Sequence, residues 1–144
     1  MTARARGPIV IDTNVFGADL VPGSPLADRY EPVIVGRPAF ISFQTVAELY
    51  FGAIQRGWGP SRMLRMEAKL ARVEVVHSGP ELVLVHARLR VACLRIGHAL
   101  AQRAHEADRW IAASALRLGV PLVSDDQIFR EVPGLTLEAA SKTG

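Results

Sequence analysis

An unbroken β-branched run, Ile9-Val10-Ile11, stops at an acid, Asp12. A run without polar alternation suits a strand buried on both faces, as strands of a parallel sheet are. Ala39-Phe40-Ile41-Ser42, Val73 to Val76, Pro121 to Ser124 and Leu135-Thr136-Leu137 read as four further short strands. Helical stretches separate them. Asp12-Thr13-Asn14 can cap one helix, and Ser24-Pro25 opens another through about Val35, its end strained by Pro32. From Gln44, the residues Val46, Leu49, Tyr50, Ala53 and Ile54 recur at helical spacing until Gly57-Trp58-Gly59-Pro60 intervenes. A helix follows from Ser61, a long one runs from Ser78-Gly79-Pro80-Glu81 to about His98, and another spans Ala107 to Leu118 and is closed by Gly119. Strands alternating with helices give an α/β chain of three layers, a central parallel sheet of about five short strands flanked by helices. Its 144 residues are read as one domain, 1–144, without repeat or linker. A chain of that size buries roughly 68–70% of its unfolded surface and folds without disulfide or structural metal.

The single cysteine, Cys93, cannot form an internal disulfide, and it sits in an apolar helical pattern as a small core residue. The chain is therefore expected to be cytoplasmic. No apolar run approaches the ~20 residues of a membrane span, and the basic stretch Met1 to Pro8 lacks the apolar segment of a signal peptide. A net charge of +3 favours an anionic partner, nucleic acid first.

In a parallel sheet the functional site lies at the carboxyl ends of the strands. Asp12 ends one strand, and Asp125-Asp126 follow Leu122-Val123-Ser124. Glu48 stands on a helix between Gln44, Thr45, Phe51 and Gly52, which is no solvated charged face. Asp108 begins a helix continued by the small apolar run Ile111-Ala112-Ala113-Ser114-Ala115. Taken singly, Asp12 can be a helix cap, Asp108 a dipole partner and Asp126 a turn residue. Brought together, four carboxylates repel one another, and a divalent cation removes the penalty. Oxygen ligands select Mg²⁺ or Mn²⁺, as one ion or two. Such a site suits phosphodiester hydrolysis, and bound cations let an acidic pocket accept a polyanion.

These residues resemble the PIN-domain ribonucleases, most closely the VapC-type toxins of bacterial toxin–antitoxin pairs. The resemblance rests on Ile9 to Phe16, Ile41 to Leu49 with Gly52, Asp108 to Ala115, and Pro121 to Asp126 ending in Phe129, in that order across nearly the whole chain. It implies metal-ligating and catalytic acids at Asp12, Glu48, Asp108 and Asp126, supported by Asn14, Ser124 and Asp125. Asp125 and Ile128 depart from the family's last motif, which leaves open whether Asp125 or Asp126 faces the metal. The resemblance also implies Mg²⁺- or Mn²⁺-dependent cleavage of cellular RNA, inhibition of translation and growth, homodimers, and a cognate antitoxin bound in a hetero-oligomer.

Two other readings compete. One is a PIN nuclease of housekeeping RNA processing. The other is a Mg²⁺-binding phosphoaspartyl receiver or phosphatase. The phosphatase needs a second acid where this chain has Asn14, and the receiver needs a late lysine, absent between Lys69 and Lys142. Arg62, Arg65, Lys69 and Arg72, spaced three, four and three apart, are expected to share a helix face that could touch RNA, with Trp58 as a stacking surface. Trp110 and His105 are expected in the core and at the surface, respectively.

Overall fold

The computed structural model describes residues 6–141. Most of the basic stretch Met1–Pro8, and Lys142, therefore lie outside the described residues. Five strands form one parallel sheet: β1 (Ile9–Ile11), β2 (Ala39–Ser42), β3 (Glu74–Val76), β4 (Leu122–Val123) and β5 (Leu137–Glu138), in the order β3-β2-β1-β4-β5. The helices are α1 (Thr13–Phe16), α2 (Pro25–Ile34), α3 (Phe43–Gln55), α4 (Pro60–Leu70), α5 (Pro80–Arg95) and α6 (Glu106–Leu118), with short 3₁₀ turns between some of them.

The central strand shows why the run beginning at Ile9 has no polar alternation. Successive strand side chains point to opposite faces. Val10 joins a core with Leu89, Leu100, Ala112 and Leu122, whereas Ile9 and Ile11 join Val15, Phe16, Tyr30 and Ile41 on the other side. Both faces are covered, so both parities must be apolar. The small residues Ala112, Ala113, Ser114 and Ala115 are fully buried and let α6 lie close to the sheet.

Several boundaries differ from the sequence expectation. α3 and α4 begin at Phe43 and Pro60, one residue or so early, because Ser42 and Gly59 serve as N-caps and Pro60 takes the first helical position. α2, by contrast, ends at Ile34 close to the expected Val35 and runs through Pro32, since the carbonyl freed by the missing N–H, that of the exposed Asp28, can be satisfied by water. α5 stops at Arg95, where Gly97 with φ of 69° turns the chain away before His98. Arg72 falls beyond the end of α4, so the four basic residues do not share one helix face.

The sheet order also locates the site. The chain passes from β1 to β2 and β3 on one side, then crosses back to β4 and β5 on the other. The crevice opens at such a reversal, here between the carboxyl ends of β1 and β4, where Ile11 pairs with Val123.

Candidate active site

Asp12 follows β1 directly and caps α1. Its Oδ1 accepts from the Thr13 N–H at 2.7 Å, and its Oδ2 accepts from Ser124 Oγ, also at 2.7 Å. Asp12 is 5% exposed and Ser124 1%. The cap reading and the site reading therefore hold for the same carboxylate. Burial pushes its pKa up from the ordinary 3.8 to about 6; the Ser124 and Thr13 hydrogen bonds oppose this, and the charges of Asp108 and Glu48 add to it. Two of the other expected acids thus act on Asp12 through space.

Glu48 reaches this region because α3 is tied to α1: the Thr13 and Thr45 hydroxyls hydrogen-bond at 2.9 Å, and Thr45 is fully buried. The half-buried Glu48 carboxylate accepts from Gln44 Nε2 at 3.2 Å. Asp108, in the first turn of α6, lies 3.1 Å from His105 Nδ1. Asp126 is exposed and accepts from the Ile128 N–H at 3.0 Å, while its own N–H donates to Ser124 Oγ at 3.0 Å. Asp126 thus joins the network through its backbone N–H. Asp125 is held toward α2 by Arg29, at 2.8 Å, and by the Tyr30 hydroxyl, at 2.9 Å. Asn14 is exposed beside Thr13 and Glu48 in a groove of about 520 Å³ that extends to Phe51 and Trp58.

Among the described residues no three His, Cys, Asp or Glu side chains stand close enough together to hold one metal ion. Of the four expected acids, Glu48 and Asp108 form an electrostatic neighbourhood around Asp12, and Asp126 is linked to it through its backbone N–H and Ser124. Each outer acid has a local donor, from Gln44, His105 or Ile128. The donor set is all oxygen, and the charge at Asp12 is opposed by its neighbours, so the chemistry fits a hard cation.

The basic helix is partly committed to the protein itself. Arg62 lies over the Trp58 ring at 4.3 Å and donates to the Leu20 carbonyl, and Lys69 engages Asp19 and the Phe16 carbonyl. Trp58 packs against Leu20, Ala53 and Met66. Arg65 and Arg72 are exposed. Trp110 stacks on His86 at 3.8 Å and meets Phe43 edge-on, and Cys93 is fully buried, both as expected of core residues. His105 is half-buried against Asp108 rather than free at the surface.

Sequence reasoning missed Arg109, which is 1% exposed. The signal was present: Arg109, Ala112, Ala113 and Leu116 recur at the spacing of one buried helix face. It also missed Tyr30 and Arg29, whose link to Asp125 spans too much sequence to leave a local pattern.

A family model described as PIN domain matches residues 9–135. A comparison with curated proteins found no match. Among solved structures, the chain is similar to VapBC2 from Rickettsia felis bound to a promoter DNA fragment, with a TM-score of 0.76 and 19% identity over 93% of this chain and 99% of that one. It is also similar to FitAcB from Neisseria gonorrhoeae, with a TM-score of 0.70 and 20% identity over 90% and 95% of the two chains. VapBC-5 of the VapBC toxin–antitoxin family, from Mycobacterium tuberculosis, has a TM-score of 0.64 and 25% identity over 92% and 97%.

Proposed function

This chain belongs to the PIN-domain family, and on that premise we propose that it is a divalent-metal-dependent endoribonuclease, the VapC-type toxin of a toxin–antitoxin pair. The observation that carries the proposal is the buried Asp12 carboxylate at the sheet's switch point, its charge opposed by Glu48 and Asp108. An anion kept in that position calls for a cation beside it.

Asp12, Glu48, Asp108 and Asp126 would hold Mg²⁺ or Mn²⁺, as one ion or two. When bound, the cation supplies Lewis acidity toward the phosphodiester and orients the attacking water. Ser124 and the Thr13 N–H fix both oxygens of Asp12, so that carboxylate needs little rearrangement on binding. Asn14 stands at the groove mouth and can donate to a phosphate or ribose. Arg65 and Arg72, both solvent-exposed, and the net charge of +3 favour an RNA backbone. Asp125 serves as a tether for the loop after β4. The similar VapBC structures support a protein antitoxin as partner; a hetero-oligomer built on a toxin homodimer is the assembly the family resemblance implies. The whole chain, 1–144, is proposed as one cytoplasmic nuclease domain that inhibits growth by cutting cellular RNA.

Purified Asp12→Asn protein tests this directly. Mn²⁺-dependent cleavage of total RNA, read from gel-resolved fragments, is expected to fall well beyond the ~10–100-fold typical of losing an outer-shell partner, with unchanged circular dichroism. Full cleavage by a folded Asp12→Asn protein would contradict the assignment.

A further inference from the structure

Arg109 immediately follows Asp108 yet is almost wholly buried, and its Nε has no hydrogen-bond partner among the described residues, so its hydrogen bonds run through Nη1. Its Nη1 donates to the Leu100 carbonyl at 2.8 Å and the Gln102 carbonyl at 2.6 Å. Arg90 Nε takes the carbonyl between them, Ala101, at 3.1 Å. Two arginines thus hold three consecutive carbonyls of the strap that runs from His98 to His105. His98 fastens the other end, with Nδ1 accepting from the Leu100 N–H at 2.9 Å and Nε2 at 2.7 Å from the Arg130 carbonyl.

The strap ends at His105, the N-cap position of α6, where no side chain caps the helix. His105 Nδ1 meets Asp108 Oδ2 at 3.1 Å. The start of the helix that carries Asp108 is therefore tied to the strap twice, through Arg109 and through His105.

We propose that Arg109 is a positioning residue for Asp108: by clamping the strap to α6 it sets where His105, and with it the Asp108 carboxylate, stands. The proposal rests on reading this site as a metal-dependent nuclease. Both carbonyls are reached from the one nitrogen, Nη1, whose N–H directions the planar guanidinium fixes, whereas a lysine ammonium is a rotating point charge.

The test uses the full chain with Arg109→Met, Arg109→Lys and, as a stability control, Leu82→Ala, which alters the core beside Leu118 at the opposite end of α6. Two quantities are read: the Asp108 carboxyl ¹³C resonance in metal-free protein, and Mn²⁺ affinity by calorimetry. Arg109→Met is expected to shift the resonance and to weaken Mn²⁺ binding ~10–100-fold, the range for outer-shell partners, with Arg109→Lys intermediate and Leu82→Ala like wild type. A folded Arg109→Met protein with wild-type resonance and affinity would overturn the proposal. Equal changes in Leu82→Ala would overturn it too, as would failure of both Arg109 variants to fold, since either makes Arg109 a folding residue. If wild type takes up no Mn²⁺, the nuclease reading fails, and the resonance alone decides the role of Arg109.

Discussion

Asp12 keeps a carboxylate where water reaches 5% of it and where two other acids oppose its charge. Its folded pKa, about 6, lies above the ordinary 3.8. Between those values the native state binds more protons than the unfolded chain, so the group's contribution to stability falls as pH rises through that window and is flat above it. Ionised Asp12 therefore costs about 3 kcal/mol at pH 7. Asp12→Asn should remove this cost, since asparagine caps a helix as well as aspartate does. The metal-free variant is expected to melt on the order of 5–10 °C above wild type at pH 7, and the gap should close near pH 4. Melting curves at both pH values check this. Ser124→Ala should act in the opposite sense. It strips Asp12 Oδ2 of its donor, which costs about 1–3 kcal/mol in chemical denaturation at pH 7 and pushes the Asp12 pKa further up, measurable by carboxyl NMR.

At the scale of elements, α6 is the sensitive part. It carries Asp108 in its first turn while Ala112, Ala113 and Ala115 are fully buried. Ala113→Leu is expected to destabilise by about 1–3 kcal/mol through overpacking, with Mn²⁺ affinity falling alongside because the helix start must move; calorimetry and melting read the two effects together. The central strands β1 and β4 and the helix α6 were legible in the sequence because burial on both faces, or on one tight face, writes itself into local composition, whereas the half-buried edge strand β5 was expected at Leu135-Thr136-Leu137 and lies at Leu137–Glu138. Asp12 and Ser124 were legible as strand-end residues for the same reason. The Arg29–Tyr30–Asp125 network was not, since its partners are 95 and 96 positions apart and no local pattern couples them. Nor was the orientation of Glu48 and Asp126, which depends on competition between a nearby donor and a distant anion. The basic residues from Arg62 to Arg72 looked alike in sequence, and only packing separates the committed Arg62 and Lys69 from the exposed Arg65 and Arg72.

For the whole molecule, the order β3-β2-β1-β4-β5 concentrates chemistry at one reversal, between β1 and β4. Asp12, Glu48 and Asp108 come from three different elements, β1's end, α3 and α6, so their mutual influence exists only in the folded chain. A cation shared there would link metal binding to global stability. The most direct measurement is anomalous diffraction from a crystal soaked in Mn²⁺. The expected result is a peak within ~2.0–2.6 Å of Asp12 oxygen, with Glu48 and Asp108 turned from Gln44 and His105 toward it. A density map with no anomalous peak beside Asp12 at saturating Mn²⁺, and those two acids still on their local donors, would contradict a metal-dependent site.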